Sequence, residues 1–225
     1  DPVITRTFQL IRGVGPAREK DLWKRGIRTW DDFPAEGGEP ALSREQDRKA
    51  REQLARARAA LEARDLLRLG VMIPQREHWR LYREFMHDAA FFDIEADGRE
   101  TMTPTVVSLF HADGFEVFIQ GRNLDALPAA LARWPLWITF NGSVFDIPVL
   151  KAHFGELPQP RLHLDLRFAC HRFALGGGLK SLEDRLGFPR PQHLRGVKGM
   201  DAVLLWRAYR HTADIEALRF LVEYN

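Results

Sequence analysis

The chain has 225 residues, enough for one large domain or two smaller ones. Its hydrophobic fraction of 45% and charged fraction of 28% are ordinary for a globular protein, and its net charge of +2 does not by itself indicate a nucleic-acid binder. A single cysteine, Cys170, excludes an internal disulfide and a cysteine metal cluster. Without a long apolar run or a signal peptide, we expect a cytoplasmic protein that is not in a membrane, and a start at Asp1 suggests a fragment.

Residues 1–70 are predicted to form a small all-α domain. Gly13 and Gly15 permit a tight turn, and Pro16 suits the first position of a helix. The backbone N–H groups at such a helix start attract phosphate. This pattern resembles a helix-hairpin-helix module, which implies that Gly13 and Gly15 contact a nucleic-acid backbone. The alternative is that the module packs only against protein.

A capping-box pattern at Ser43 predicts the start of a long helix that runs to about Leu69. Arginines and acidic residues alternate on its polar face, which favours a solvated surface over a dedicated phosphate track. Residues 71–88 are predicted to form a connecting helix or linker.

Residues 89–225 change to an α/β pattern. Asp113-Gly114 predicts a hairpin between the second and third strands. Strands that first meander and then alternate with helices indicate a mixed five-stranded sheet flanked by helices. The predicted strands span residues 90–95, 105–110, 115–119, 136–140 and 161–165.

Two carboxylates lie two residues apart in the first of these strands. Asp93 and Glu95 share one face of the strand, while Phe92 and Ile94 point to the other face. Adjacent carboxylates repel each other, and a divalent metal ion is the usual compensation. A solvated edge strand is the alternative for an isolated pair of this kind.

A second polar motif follows the fourth strand, at the end of the sheet where α/β proteins place ligands. It contains Asn141, Gly142, Phe145 and Asp146, followed by Pro148. Helix capping alone would explain the presence of Asp146. It does not explain the order of the residues around it.

The two motifs in this order, about 50 residues apart, resemble the first two motifs of the DEDD 3′–5′ exonucleases, which are ribonuclease-H-like. The sequence is most similar to the YprB-like exonucleases, some of which carry a helix-hairpin-helix segment in front. Further similarity lies in 163–166 and 178–183. The resemblance implies a ribonuclease-H-like domain over 89–225.

The resemblance also implies a two-metal hydrolysis of phosphodiester bonds with Mg²⁺ or Mn²⁺. Asp93, Glu95 and Asp146 would hold the two ions, and Asn141 and Phe145 would position the terminal nucleotide. The substrate would be DNA or RNA with a single-stranded 3′ end. Charge and location suggest Lys180, and also Arg172, as phosphate ligands.

The third motif of the family is tyrosine followed four residues later by aspartate. Tyr224 matches the tyrosine that orients the attacking water, and the aspartate would be residue 228, so we expect a domain truncated at its C-terminus. Asp201 and Asp214 are possible substitutes, but each is more simply a helix N-cap. Asp165 is expected to support the site from behind the metal ligands.

His153, His171 and His211 are interpreted as surface or half-buried structural residues, and none is assigned as a metal ligand. The resulting hypothesis is a metal-dependent 3′–5′ exonuclease whose protein partners are unknown. The alternatives are a weak or inactive nucleic-acid-binding module, a structure-specific endonuclease on the same fold, or a scaffold that docks another enzyme through residues 1–70.

Overall fold

The computed structural model describes residues 2–100 and 102–225. The chain divides into two compact units, the first ending at His87 and the second running from Asp88 to Asn225. None of the helices in the described residues is long and apolar enough to cross a membrane.

The first unit is helical. Its α-helices are α1 (Pro16–Lys24), α2 (Arg44–Glu62), α3 (Leu66–Met72) and α4 (Tyr82–Phe85). Shorter 3₁₀ turns lie at Val3–Arg6, Trp30–Asp32 and Gln75–Leu81, and Met86–Asp88 forms another at the boundary between the units.

The long helix predicted from Ser43 begins as expected but is interrupted. The Ser43 hydroxyl accepts a hydrogen bond from the Gln46 N–H, which caps α2. The prediction that it continues to Leu69 is wrong because Arg64 adopts a left-handed conformation with φ 51°. Asp65 then caps α3 by accepting from the Arg68 N–H. The single predicted helix is therefore two helices.

The segment predicted as a connecting helix, 71–88, contributes to the core of the first unit. It forms 3₁₀ turns around the four-residue α4, and Leu81 and Phe85 are buried. The buried Arg80 also bonds to the buried Glu77 and lies 3.6 Å from Glu19. This network ties the segment to α1.

The predicted glycine turn lies directly before α1. Gly13 has φ +85°, a conformation that favours glycine, and Gly15 is the N-cap residue of α1 with Pro16 in the first turn. Glu19 of α1 accepts hydrogen bonds from Thr7 and the Phe8 N–H, and this anchors the chain that enters the turn.

The second unit contains a five-stranded sheet and six α-helices within its described residues. The strands are β1 (Ala89–Ala96), β2 (Pro104–His111), β3 (Gly114–Ile119), β4 (Leu136–Thr139) and β5 (Leu162–Asp165). The helices are α5 (Leu127–Ala132), α6 (Asp146–Phe154), α7 (Leu166–Arg172), α8 (Leu179–Leu186), α9 (Gly199–Thr212) and α10 (Ile215–Tyr224).

The sheet is mixed, as predicted. Its strand order is β3-β2-β1-β4-β5, with β1 antiparallel to β2, β2 antiparallel to β3, and β4 parallel to both β1 and β5. Since β1, β4 and β5 are parallel, their carboxyl ends lie at one edge of the sheet. The unit therefore has the mixed five-stranded sheet flanked by helices that the sequence predicts.

The two faces of β1 have different surroundings. Phe92 and Ile94 are buried in a core with α5 and α6, whereas Asp93 and Glu95 lie on the opposite face. On that opposite face, Val106 and Val117 pack with residues of α9 and α10. The carboxylates therefore border the packed C-terminal helices.

Candidate nuclease active site

A cleft of about 750 Å³ lies at the carboxyl ends of the parallel strands. It is lined by Asp93, Ile94, Glu95, Phe140, Asn141, Phe145, Asp146, Arg167, His171, Gly177, Gly178, Leu179, Lys180, Glu183, Arg190, Tyr224 and Asn225. The cleft brings together most of the residues that the sequence singles out, from both ends of the second unit. Gly13 and Gly15 belong to the first unit, and Asp165 does not line the cleft but binds the loop that bears Asn141.

Three of the carboxylates that line this cleft, Asp93, Glu95 and Asp146, come from the two sequence motifs. Burial raises the pKa of Asp93 to about 6, that of Glu95 to about 8 and that of Asp146 to about 7. The charge of Asp93 adds to the increase at Glu95 and at Asp146, so the three groups repel one another. Their ionised forms lack sufficient positive compensation within the protein.

Asp146 is fixed by β1 rather than serving as the cap of its own helix. Phe145 is the N-cap residue of α6, and Asp146 is its first residue. The Asp146 Oδ1 accepts a hydrogen bond of 3.1 Å from the Ile94 N–H. This bond holds the carboxylate beside Asp93 and Glu95, whose strand supplies the donor.

The raised pKa values predict a pH dependence of stability in the metal-free protein. A carboxyl group with a raised folded-state pKa stabilises the fold below its unfolded pKa, and the stabilisation is lost as pH rises through the folded pKa. Between about pH 6.5 and 8, we therefore expect the melting temperature in chelator to fall. Added Mn²⁺ should reverse this fall, because a cation replaces the displaced protons.

Thermal melts of the wild type and of Asp146→Asn test this expectation. The variant should show a shallower decline over the same pH range. His78 and His163, whose pKa values burial lowers, act in the opposite direction only below about pH 6.5. An identical decline in both proteins would contradict the assignment of the effect to this cluster.

Asp165 organises the loop that carries the second motif. Its carboxylate accepts hydrogen bonds from the Asn141 N–H at 2.8 Å, the Ser143 N–H at 3.0 Å and the Ser143 hydroxyl at 2.6 Å. The Arg167 N–H donates another at 3.1 Å. Burial alone would raise the pKa of Asp165, but these hydrogen bonds outweigh it and lower the pKa.

Replacing Asp165 by alanine is expected to destabilise the second unit by about 2–4 kcal/mol, because several donors lose a buried acceptor. Because the pKa of Asp165 is lowered in the folded state, its carboxylate stabilises the fold above the unfolded pKa. This stabilisation is lost as pH falls through the folded pKa. Chemical denaturation of the wild type and the variant near neutral pH measures the difference. A change below about 0.5 kcal/mol would contradict the role of Asp165 as the anchor of this loop.

The Asn141 side chain is also held in place. Its backbone is left-handed with φ 65°, which asparagine tolerates better than most residues. The Arg167 Nη1 donates to its Oδ1 at 2.5 Å. The amide nitrogen of Asn141 thus has a fixed orientation at the cleft.

Tyr224 contacts two cationic side chains. The Lys180 Nζ donates to the Tyr224 hydroxyl at 3.3 Å and lies 5.1 Å from the ring centroid. The guanidinium of Arg190 is 5.6 Å from the same centroid. Lys180 also bonds to the Val197 carbonyl oxygen, so its ammonium group holds Tyr224 and the 197 loop together.

The oxygen donors of the cleft are of the kind that Mg²⁺ and Mn²⁺ prefer. In the described part of the chain, however, no group of three or more His, Cys, Asp or Glu side chains is arranged closely enough to hold a metal ion. The Asn225 Nδ2 donates to the Asp93 Oδ2 at 2.9 Å, and the buried Asn225 Oδ1 has no hydrogen-bond partner. Uncompensated carboxylates beside a free amide oxygen fit a divalent cation chemically.

The two possible substitutes for a fourth carboxylate serve helix ends. Asp214 is the N-cap residue of α10 and accepts from two N–H groups, as predicted. Asp201 is not an N-cap residue but lies in the first turn of α9, where it accepts from the Lys198 N–H. Neither residue lines the cleft.

Several cleft residues were not predicted from the sequence. Arg167 and His171 lie four residues apart on α7 and face the cleft together, whereas the exposed Arg172 does not line it. His171 is exposed, which agrees with the expected surface position, and it lines the cleft, to which the sequence did not assign it. Glu183 and Arg190 also line the cleft. Only the i, i+4 spacing on α7 offered a signal that could have found any of these residues.

Comparison with known families agrees with this arrangement. A search among curated proteins finds no match for the chain. Residues 90–225 match the family model of the RNase H superfamily. An RNase H-like domain indicates a nuclease that acts on nucleic acid, and such nucleases generally use divalent metal ions. Because the match covers more than half of the chain, the protein belongs to the RNase H superfamily.

Proposed function

We propose that the protein is a metal-dependent 3′–5′ exonuclease of the DEDD type, similar to the YprB-like enzymes. The observation that carries this proposal is the group of mutually repelling carboxylates, Asp93, Glu95 and Asp146, in one cleft with Tyr224. Carboxylates kept together against their repulsion indicate a cation-binding role.

In this proposal, Asp93, Glu95 and Asp146 hold two divalent ions. When bound, such ions activate a water molecule and stabilise the leaving oxygen of an in-line displacement at phosphorus. The Tyr224 hydroxyl, held by Lys180, orients the attacking water. Lys180 thus acts on the tyrosine rather than as the direct phosphate ligand suggested by its charge.

The substrate end is positioned by the second motif. Asn141 presents its amide to the terminal nucleotide, and Phe145 contacts the base or sugar. Asp165 acts by fixing the loop that bears Asn141. The first unit, with Gly13 and Gly15 at the start of α1, is proposed to bind the nucleic-acid backbone as a helix-hairpin-helix-like domain.

End-labelled single-stranded DNA and RNA provide the direct test. We expect stepwise shortening from the 3′ end with Mn²⁺ or Mg²⁺ and none in chelator. Circular single strands distinguish exonuclease from endonuclease activity, since they have no end to attack. Cleavage of circles, or degradation that persists in chelator, would contradict the proposal.

Two observations favour a second candidate, a catalytically weak nucleic-acid-binding module. Among the described residues, the acidic side chains do not form a group of three that could hold a metal ion. The Asn225 amide also donates a hydrogen bond to an oxygen of Asp93. This candidate predicts that DNA or RNA binds without being degraded under any metal condition. The digestion experiment therefore separates the two candidates when combined with a binding assay.

A further inference from the structure

Arg190 and Glu183 form a two-pronged ion pair in the wall of the cleft. The Arg190 Nε donates to the Glu183 Oε2 at 2.6 Å, and its Nη2 donates to the Oε1 at 3.1 Å. The two side chains are only 21% and 24% exposed. Glu183 lies on α8, and Arg190 lies in the loop that follows this helix.

Both charges act on the carboxylate cluster. Arg190 favours the ionised form of Asp93, whereas Glu183 opposes it. The guanidinium also lies over the ring of Tyr224. Arg190 is therefore placed beside the groups proposed to act on the phosphate.

The same ion pair borders a second cavity. This cavity has a volume of about 350 Å³ and shares Lys180, Glu183 and Arg190 with the larger cleft. Its remaining lining includes Arg195, whose Nε donates to the Arg190 carbonyl oxygen. The pair thus lines both cavities, and a rearrangement of Arg190 would change the shape of both.

The cations of the cleft have different partners. Lys180 bonds to the Val197 carbonyl and the Tyr224 hydroxyl, and Arg167 bonds to the Asn141 amide oxygen. Through these bonds to neutral acceptors, Lys180 and Arg167 hold other parts of the site in place. Arg190 instead donates two parallel hydrogen bonds to a carboxylate. A guanidinium uses the same geometry with two oxygens of a phosphate.

We propose that Arg190 binds a phosphate group of the nucleic-acid chain, and that Glu183 holds the guanidinium in place and competes with that phosphate. This inference rests on the proposed function for the identity of the substrate. When no phosphate is present, Glu183 keeps the guanidinium away from Asp93. Its competition with the phosphate lowers the affinity for the substrate.

Binding of a labelled single-stranded oligonucleotide in chelator tests this proposal without requiring hydrolysis. Loss of one phosphate contact in Arg190→Ala should weaken binding about tenfold and reduce the slope of log affinity against log salt by about 0.7. Glu183→Gln should tighten binding several-fold, because the competing charge is removed.

Arg219→Ala is the matched control, because Arg219 pairs with Glu216 on the exposed face of α10 and does not line either cavity. It removes one positive charge from the same unit and should leave the salt slope unchanged. Equal slopes for the wild type and Arg190→Ala would overturn the phosphate contact, as would the same loss of slope in Arg219→Ala.

Glu183→Gln provides a second, independent outcome should Arg190→Ala fail to fold. Binding by Glu183→Gln that equals or falls below that of the wild type would overturn the competition. Failure of the wild type to degrade any substrate with Mn²⁺ would refute the proposed exonuclease but leave these binding differences intact. The two proposals can therefore fail separately.

Discussion

Asp93→Asn is expected to reduce metal-dependent degradation by at least about 100-fold, because changes even outside the metal ligands cost 10–100-fold. Asparagine keeps the size of the side chain but removes the charge that faces Glu95 and Asp146. For the same reason, the metal-free variant should be more stable than the wild type, by about 1–2 kcal/mol near neutral pH. Activity and stability should therefore change in opposite directions.

Digestion of an end-labelled strand and chemical denaturation in chelator measure the two effects. Asp113→Asn is a suitable control, since it makes the same chemical change in the exposed β2–β3 turn of the same unit. It should leave both properties unchanged. A variant at Asp93 that loses activity together with stability would indicate a structural carboxylate and contradict the proposed role.

Gly142→Ala is expected to destabilise the second unit by about 2–3 kcal/mol and to disrupt the cleft. A Cβ atom at this position would lie 2.3 Å from the Thr139 Oγ1 and 2.5 Å from its Cβ. Thr139 is buried at the end of β4 and bonds to the His163 ring, so it cannot move aside without breaking that contact. The loop bearing Asn141 must shift instead.

Gly199→Ala serves as the control for the same chemical change. Gly199 is the first residue of α9, and a Cβ atom there meets nothing within 4 Å. Denaturation curves of the two variants should therefore differ by more than about 1.5 kcal/mol, with Gly199→Ala close to the wild type. Equal stabilities would show that the second motif does not depend on the close approach of Gly142 to Thr139.

The sequence predicts the sheet and part of the site well because local rules govern both. Alternation in β1 assigns Asp93 and Glu95 to one face and Phe92 and Ile94 to the core, and the structure agrees. The Asp113-Gly114 turn likewise defines the β2–β3 hairpin. The juxtaposition of Asp146 with these carboxylates was implied by the family resemblance, and the structure achieves it through the parallel pairing of β1 and β4.

The features that the sequence does not predict depend on contacts that leave no local pattern in it. Arg190 reaches Glu183 from a loop, and Lys180 meets Tyr224 across 44 residues. A side chain's spacing along the chain does not predict such pairs. The sequence also does not predict the interruption between α2 and α3, because the left-handed residue at the break is Arg64 rather than a glycine.

Titration calorimetry with Mn²⁺ tests the central assignment most directly. Because the pKa values of Asp93, Glu95 and Asp146 are raised, metal binding near neutral pH should release protons, and the observed heat should depend on the buffer. The wild type should show saturable binding with proton release, and a variant combining Asp93→Asn with Asp146→Asn should show neither. Binding of equal strength and stoichiometry in that variant would contradict the assignment of the metal site to this cleft.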